Sequence, residues 1–317
     1  MSIPRRCLIA ISAAVVAGLP VATGAGAAEG GAGFYLLGSR GPMAGFTPPP
    51  GVYFQNDTYV YSGQASVPLE LGGRLVAEVD ATLLANLATT LWVTPVEVAG
   101  GNLALTVTLP IGGPDVEGRI EPSPFRTSDS TFTFGDPVLG AFLGWHSGNF
   151  HWQTGVSVNV PIGDYREGEI ANMSFNHWAA DLYASLTWFD MQTGIELSGA
   201  AGITFNGEDP ATDYRNGTEF HLEAAAVQHF GPRFDAGLVG YFYEQLTADS
   251  GAGVPPALGG FEGRVFALGA TAGLNFKVGE LPVSARVKYF HEFDVRNRLE
   301  GDSAFLTISF PLAAGKP

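Results

Sequence analysis

The amino-acid sequence predicts an all-β chain: a transmembrane antiparallel up-and-down β-barrel of about twelve strands, with fourteen as the alternative count. Three observations carry this. Apolar and polar residues alternate with period two over segments of about ten to fourteen residues, longer than soluble strands and near the length a tilted membrane strand needs. Aromatic residues recur ten positions apart on one face, as in Trp178 with Trp188 and Phe220 with Phe230. Connections between the segments fall into a short class and a long, polar class, the loop asymmetry of bacterial barrels.

Composition excludes the main competitors. Of 317 residues, 46% are hydrophobic and only 15% charged, so disorder is excluded. Past residue 30 no run of about 18 apolar residues is present to cross a bilayer as a helix. The formal charge of −15 repels phosphate backbones, so no nucleic-acid partner is expected. A single cysteine, no heptad and no Gly-X-Y period rule out disulfide scaffolds, coiled coils and collagen.

Residues 1–28 read as a signal peptide. Arg5 and Arg6 precede the apolar run Cys7 to Leu19, and small residues follow through Ala25-Gly26-Ala27-Ala28, placing the cut before Glu29; an uncleaved anchor is the alternative. Cys7 leaves with this segment. Residues 29–51 are rich in Gly and Pro, with Pro48-Pro49-Pro50-Gly51 at the end, and can be neither a regular helix nor a central strand. This segment is expected either to fold into the lumen as a plug or lid, or to drape over the surface as an arm.

Residues 52–317 read as the barrel. Between Leu75 and Val93 the apolar residues keep one parity far beyond a single crossing, which leaves three readings: one overlong strand, two strands with a turn near Asn86, or a short helix. Further on, apolar rows are regular: Phe150 to Val160, Trp178 to Trp188, Phe266 to Phe276, Ala285 to Tyr289 and Ala304 to Phe310. Ten residues at about 3.3 Å each, tilted by about 40°, span about 25 Å along the barrel axis, the height of an outer-membrane apolar band. Trp178, Trp188, Phe220 and Phe230 are therefore assigned to the membrane girdles. A soluble sandwich would explain the alternation, yet its outer faces should carry more Lys and Glu than the Gly, Ser, Asn and Thr present here. Short turns are expected at Ser147-Gly148, Asp190-Met191 and Gly231-Pro232, and long loops over 112–130, 163–176, 206–216 and 247–260.

A resemblance adds to this reading. Gly30 to Tyr35, Gly38-Ser39, Gly45 and Pro48 to Asn56, together with Thr94-Pro95, Gly100-Gly101, Leu109-Pro110 and the terminal Phe305 to Leu312, resemble the MetA-pathway phenol-degradation family, also called SphA-like outer-membrane proteins. The resemblance spans essentially the whole mature chain; its N-terminal motif is specific, while its C-terminal one is a generic barrel ending. It implies outer-membrane barrels that pass hydrophobic or aromatic compounds. The tail Ala313 to Pro317 departs from the many barrels that end on an aromatic residue read by the barrel-assembly machinery.

The expected function is an outer-membrane channel or transporter for small hydrophobic or aromatic compounds. Inward parity collects His151, Gln153, Asn159, Gln192, Glu196, Glu219, His221, Glu223, Asp235, Arg286, Lys288 and Glu292, whose mixed charge argues against strong anion selectivity. For each, wall solvation or a structural ion pair is the plainer role. Phe34, Tyr35, Leu36, Leu37, Met43 and Phe46 are the plug residues expected to face a hydrophobic permeant. Two other classes compete: a non-conducting binding or adhesion barrel, and an outer-membrane lipid hydrolase. His146-Ser147 cannot form a nucleophile pair, because adjacent strand residues point to opposite faces, whereas His221 and Glu223 share a face but have no Ser or Cys near them in sequence. No enzyme, cofactor or metal is expected: the six histidines lack ligand spacing, and Asp209 with Asp213 reads as a solvated acidic loop before a calcium one. The expected partners are outer-membrane lipid, a small hydrophobic or aromatic molecule and the assembly machinery.

Overall fold

The computed structural model describes residues 33–65, 67–254 and 261–314. The proposed signal peptide lies outside them, as does part of the expected loop at 247–260. Twelve long strands alternate in direction: β1 (Gly51–Ala65), β2 (Arg74–Val98), β3 (Gly101–Ile120), β4 (Val138–Ser147), β5 (Phe150–Asn159), β6 (Ala179–Asp190), β7 (Ile195–Asn206), β8 (Glu219–Phe230), β9 (Phe234–Gln245), β10 (Arg264–Val278), β11 (Leu281–Arg296) and β12 (Glu300–Ala314). Each pairs with its chain neighbours, and β1 closes the ring on β12 with Tyr59 opposite Phe305. A closed sheet leaves no unpaired edge, the condition for a β-structure to cross lipid. Strand number is thereby settled at twelve.

The turns at one end are tight. Gly148 lies between β4 and β5 at φ 57, a backbone state that an L side chain resists, and so lets Ser147 face Phe150 directly. At the opposite end the connections, apart from the three residues between β11 and β12, are long, and several carry short strands of their own, at Leu69–Leu71, Thr127–Ser130, Thr133–Phe134, Glu208–Asp209 and Tyr214–Arg215. The expected loop at 112–130 is corrected here: β3 continues through Gly112, Gly113 and Pro114 to Ile120, and Thr127–Ser130 pairs back onto it. Strand pairing with β2 over this stretch outweighs the turn propensity of Gly-Gly-Pro.

The outward face is apolar. Leu238 and Leu268 are 68% and 65% exposed, and Leu182, Leu186, Leu197, Leu222, Val287 and Leu306 continue the belt around the ring. A continuous belt of this kind is unfavourable in water and favourable in hydrocarbon. Trp178 and Phe230 are exposed at 59% and 61%, while Trp188 and Phe220 are half-buried on the same outward parity. The barrel thus carries the surface of a bacterial outer-membrane protein.

The stretch Leu75 to Val93 belongs to one strand, the 25-residue β2. A bulge between Ala77 and Asp80, with Glu78 at φ 53, re-aims it as it leaves the end that carries the long connections. Its apolar row faces inward: Ala85 and Val93 are buried and Leu83 packs against the interior cluster, whereas Leu84 and Trp92 are exposed. One wall of the lumen is therefore apolar. Beneath the loops Leu69, Leu71, Val76, Val79, Val116 and Ile170 form a second core that closes the cap.

Candidate functional site

Residues 33–50 run through the barrel interior. Apart from single turns, as where Ser39 N bonds Leu36 O and Ala44 N bonds Gly41 O, the segment has no regular structure, so the wall supplies its hydrogen bonds. Tyr35 Oη donates to Glu223 Oε1 at 2.8 Å, and Gly38 N reaches the same oxygen at 3.0 Å. Met43 N donates to Glu196 Oε1 at 2.6 Å and Gly45 N to Thr187 Oγ1 at 3.0 Å. Ser185 donates to Ala44 O, and Gln153 to Phe46 O and Thr47 Oγ1. The Lys288 ammonium donates to the carbonyls of Gly38, Ser39 and Arg40. At Gly45 a Cβ would stand 2.3 Å from His151 O, so only glycine allows this approach to the wall.

Side chains add to the backbone bonds. The Tyr35 ring stacks on His221 with centroids 3.5 Å apart, and the Arg40 guanidinium lies 3.5 Å over the Tyr183 ring. Leu37 is buried among Tyr59, Tyr241, Phe290 and Phe305, with Leu36 at the margin of that cluster. Phe46 packs against the rings of His146 and His151.

The inward candidates divide into groups. Gln153, Glu196, Glu223 and Lys288 hold the N-terminal segment directly. Glu196 also accepts from Ser198 at 2.7 Å and stands 2.7 Å from His229 Nε2. His221 and Glu223 do not pair with each other: His221 Nε2 lies 2.8 Å from Asp181 Oδ1, across two strands. Asp235 and Arg286 form an ion pair at 2.8 Å, and Asn159 turns toward the cap, donating to Asp136 and His177 O. Glu219 accepts from Asn206 Nδ2, and Glu292 from Tyr61, Tyr241 and Gly301 N. His151 Nδ1 stands 2.6 Å from His146 Nδ1. Gln192 is off the wall altogether: it sits exposed in the turn between β6 and β7, which the Asp190 carboxylate organises. Asp181, Ser185 and Thr187 also take part in the site, beyond the inward candidates of the sequence; their shared inward register with Tyr183 is the signal that marks them.

Between the N-terminal segment and the cap lies a cavity of about 250 Å³. Its wall is mostly apolar, with Phe34, Leu36, Val79, Leu83, Leu87 and Met173 among the lining residues, and its few polar groups include Asn159, Glu292 and Arg298. Among the described residues no three His, Cys, Asp or Glu side chains gather as a metal site.

The cap holds buried acids. Burial pushes the Glu70 carboxyl up to about 7 from 4.5; Asp209 and Asp249 raise it further, while the Gly73 N–H opposes them. Burial likewise pushes Asp249 up to about 6. An acid whose pKa is higher folded than unfolded loses stability as pH rises from its unfolded value, near 4.5 for Glu70, through about 7. Amide exchange in segments 69–73 and 207–217, corrected for intrinsic rate, is therefore expected to be faster at pH 8 than at pH 5. Glu70→Gln should remove most of that difference; equal protection at both pH values in the unmodified protein contradicts the assignment.

Comparison with known proteins places this geometry. An outer membrane channel from Pseudomonas putida F1 superimposes with a TM-score of 0.67 at 15% identity, covering 85% of this chain and 98% of that one. The β domain of the Bordetella autotransporter BrkA gives a TM-score of 0.48 at 10% identity, covering 84% of this chain and all of that one. No curated protein sequence matches. The family described as "Putative MetA-pathway of phenol degradation" matches residues 65–308, and with most of the barrel inside that match the chain belongs to this family.

Proposed function

We propose that the protein is an outer-membrane channel that passes small hydrophobic or aromatic compounds, with residues 33–50 as the plug that sets what enters. The observation that carries this is the apolar cavity inside the barrel, between the segment and the cap. A polar solute gains nothing by leaving water for such a wall, whereas an apolar one gains about 25 cal/mol for each Å² it buries. The similar Pseudomonas putida F1 protein is an outer membrane channel, and the family's description names phenol degradation, which supports the same reading. In this reading residues 1–28 are the export signal, 29–51 the plug and 52–317 the barrel inserted by the assembly machinery.

The lumen candidates His151, Gln153, Glu196, His221, Glu223 and Lys288 then act as fasteners of the plug, and Phe34, Tyr35, Leu36, Leu37 and Phe46 as its apolar contribution. A non-conducting binding barrel is the second reading, favoured by how completely the wall hydrogen-bonds the segment. Flux into liposomes holding the purified protein separates the two. Toluene-sized aromatics entering faster than glucose-sized sugars support the channel; capture of aromatics on the protein with no added flux supports the binding barrel.

A further inference from the structure

The cavity contains an unusual cation. Arg298 lies in the connection between β11 and β12, is 9% exposed and lines the cavity wall. Among the described residues its buried Nε and Nη1 have no hydrogen-bond partner, and its one ionic contact, Nη2 to Glu292 Oε1, is 3.8 Å long. At that distance the pair attract but do not hydrogen-bond. The Glu292 carboxylate is held elsewhere: Oε1 accepts from Tyr241 at 2.8 Å, and Oε2 from Tyr61 and Gly301 N at 2.9 and 3.0 Å. The guanidinium rests instead over the Tyr243 ring, 4.8 Å from its centroid.

Charge and hydrogen bonding are thus met unequally. Glu292 balances the positive charge, but Nε and Nη1, which together carry three of the guanidinium's five N–H donors, are buried without an acceptor among the described residues, which costs free energy for each unmet donor. A ligand in the cavity can lower that cost by bringing lone pairs; it does not need to bring a charge, and a carboxylate would meet Glu292 as a like charge. Most of the remaining lining, Phe34, Leu36, Val79, Leu83 and Leu87 among it, accepts an apolar body. A cavity of about 150 Å³ holds benzene, so about 250 Å³ suits one ring with a small substituent.

We propose that Arg298 is the headgroup-recognition residue of this cavity, selecting apolar ring compounds that carry an uncharged oxygen acceptor, a carbonyl or hydroxyl, over the bare hydrocarbon and over the carboxylate. The proposal rests on the channel reading and adds the ligand's chemistry to it.

Four probes of similar size test it on the full-length protein in detergent and in liposomes: toluene, acetophenone, benzyl alcohol and benzoate. Acetophenone and benzyl alcohol are expected to bind roughly tenfold or more tighter than toluene, since hydrogen bonds to a charged group contribute about 1.5–3 kcal/mol and 1.4 kcal/mol is tenfold. Benzoate should bind no better than toluene. In Arg298→Met the acetophenone-to-toluene ratio should fall to near one, and Arg298→Lys should restore part of it, with heat-modifiable migration in gels reporting that each variant has folded. Equal binding of toluene and acetophenone by the unmodified protein, or a preference for benzoate, overturns the headgroup assignment and leaves the channel reading standing. Failure of all four to bind or to enter liposomes overturns the channel reading and the assignment with it.

Discussion

Deleting residues 33–48 is expected to raise the ion conductance of the barrel on the order of tenfold in planar bilayers, the largest functional change any single alteration here should produce. The lumen of a twelve-stranded ring leaves space that side chains alone do not close. In the proposed function the closing material is the N-terminal segment, which Glu196, Glu223, Thr187 and Lys288 hydrogen-bond. Its removal uncovers Asp181, Glu196, Glu223 and Lys288, all buried at present. Water then fills the path and hydrates these groups, so the barrel keeps its fold while its passage widens. Residues 33–48 contribute no bonds to the strand ladder, whose first pairing starts at Gly51. Unchanged conductance in a folded deletion variant contradicts the assignment of the segment as the closure.

The second large effect concerns stability in lipid. Leu268→Arg should cost about 2–4 kcal/mol in reversible unfolding from vesicles, because it places a charge near the middle of the apolar belt. Leu268 faces outward at the level where β10 pairs with Gly240, and Gly240 in turn lies opposite Ala224, midway between Phe220 and Phe230. The same change at Val278, exposed at the short-turn end of β10, should cost only about 0–1 kcal/mol. The depth dependence is the discriminating result. A protein that faced water on this side would accept arginine equally at both positions, and equal costs would remove the lipid contact from the account.

Much of the barrel was legible in the chain. The rows Trp178 to Trp188 and Phe266 to Phe276 show outward and inward faces directly, since lipid requires apolar residues outside whatever lies within. The row Leu75 to Val93 carried the same alternation but opposite meaning: its leucines meet an apolar lumen, and only Leu84 and Trp92 mark the outside. Period two identifies two faces without naming their solvents, and here the distant N-terminal segment decided which was which. His221 illustrates the other gap. Its neighbour in sequence, Glu223, turns to Tyr35 of the N-terminal segment, while its carboxylate partner is Asp181, 40 residues away on a strand two places along the ring.

The sequence by itself determined the strand alternation, the outward parity of the spaced aromatic residues and the loop asymmetry, because each is a local response to a uniform surrounding, lipid outside or water at the rims. The tertiary structure alone decided the single course of β2, the inward path of residues 33–50 and the burial of the Arg298 guanidinium beside Glu292. Those depend on which groups meet across a closed ring, and closure brings together residues more than two hundred positions apart, as Lys288 and Gly38, whose meeting no local pattern encodes.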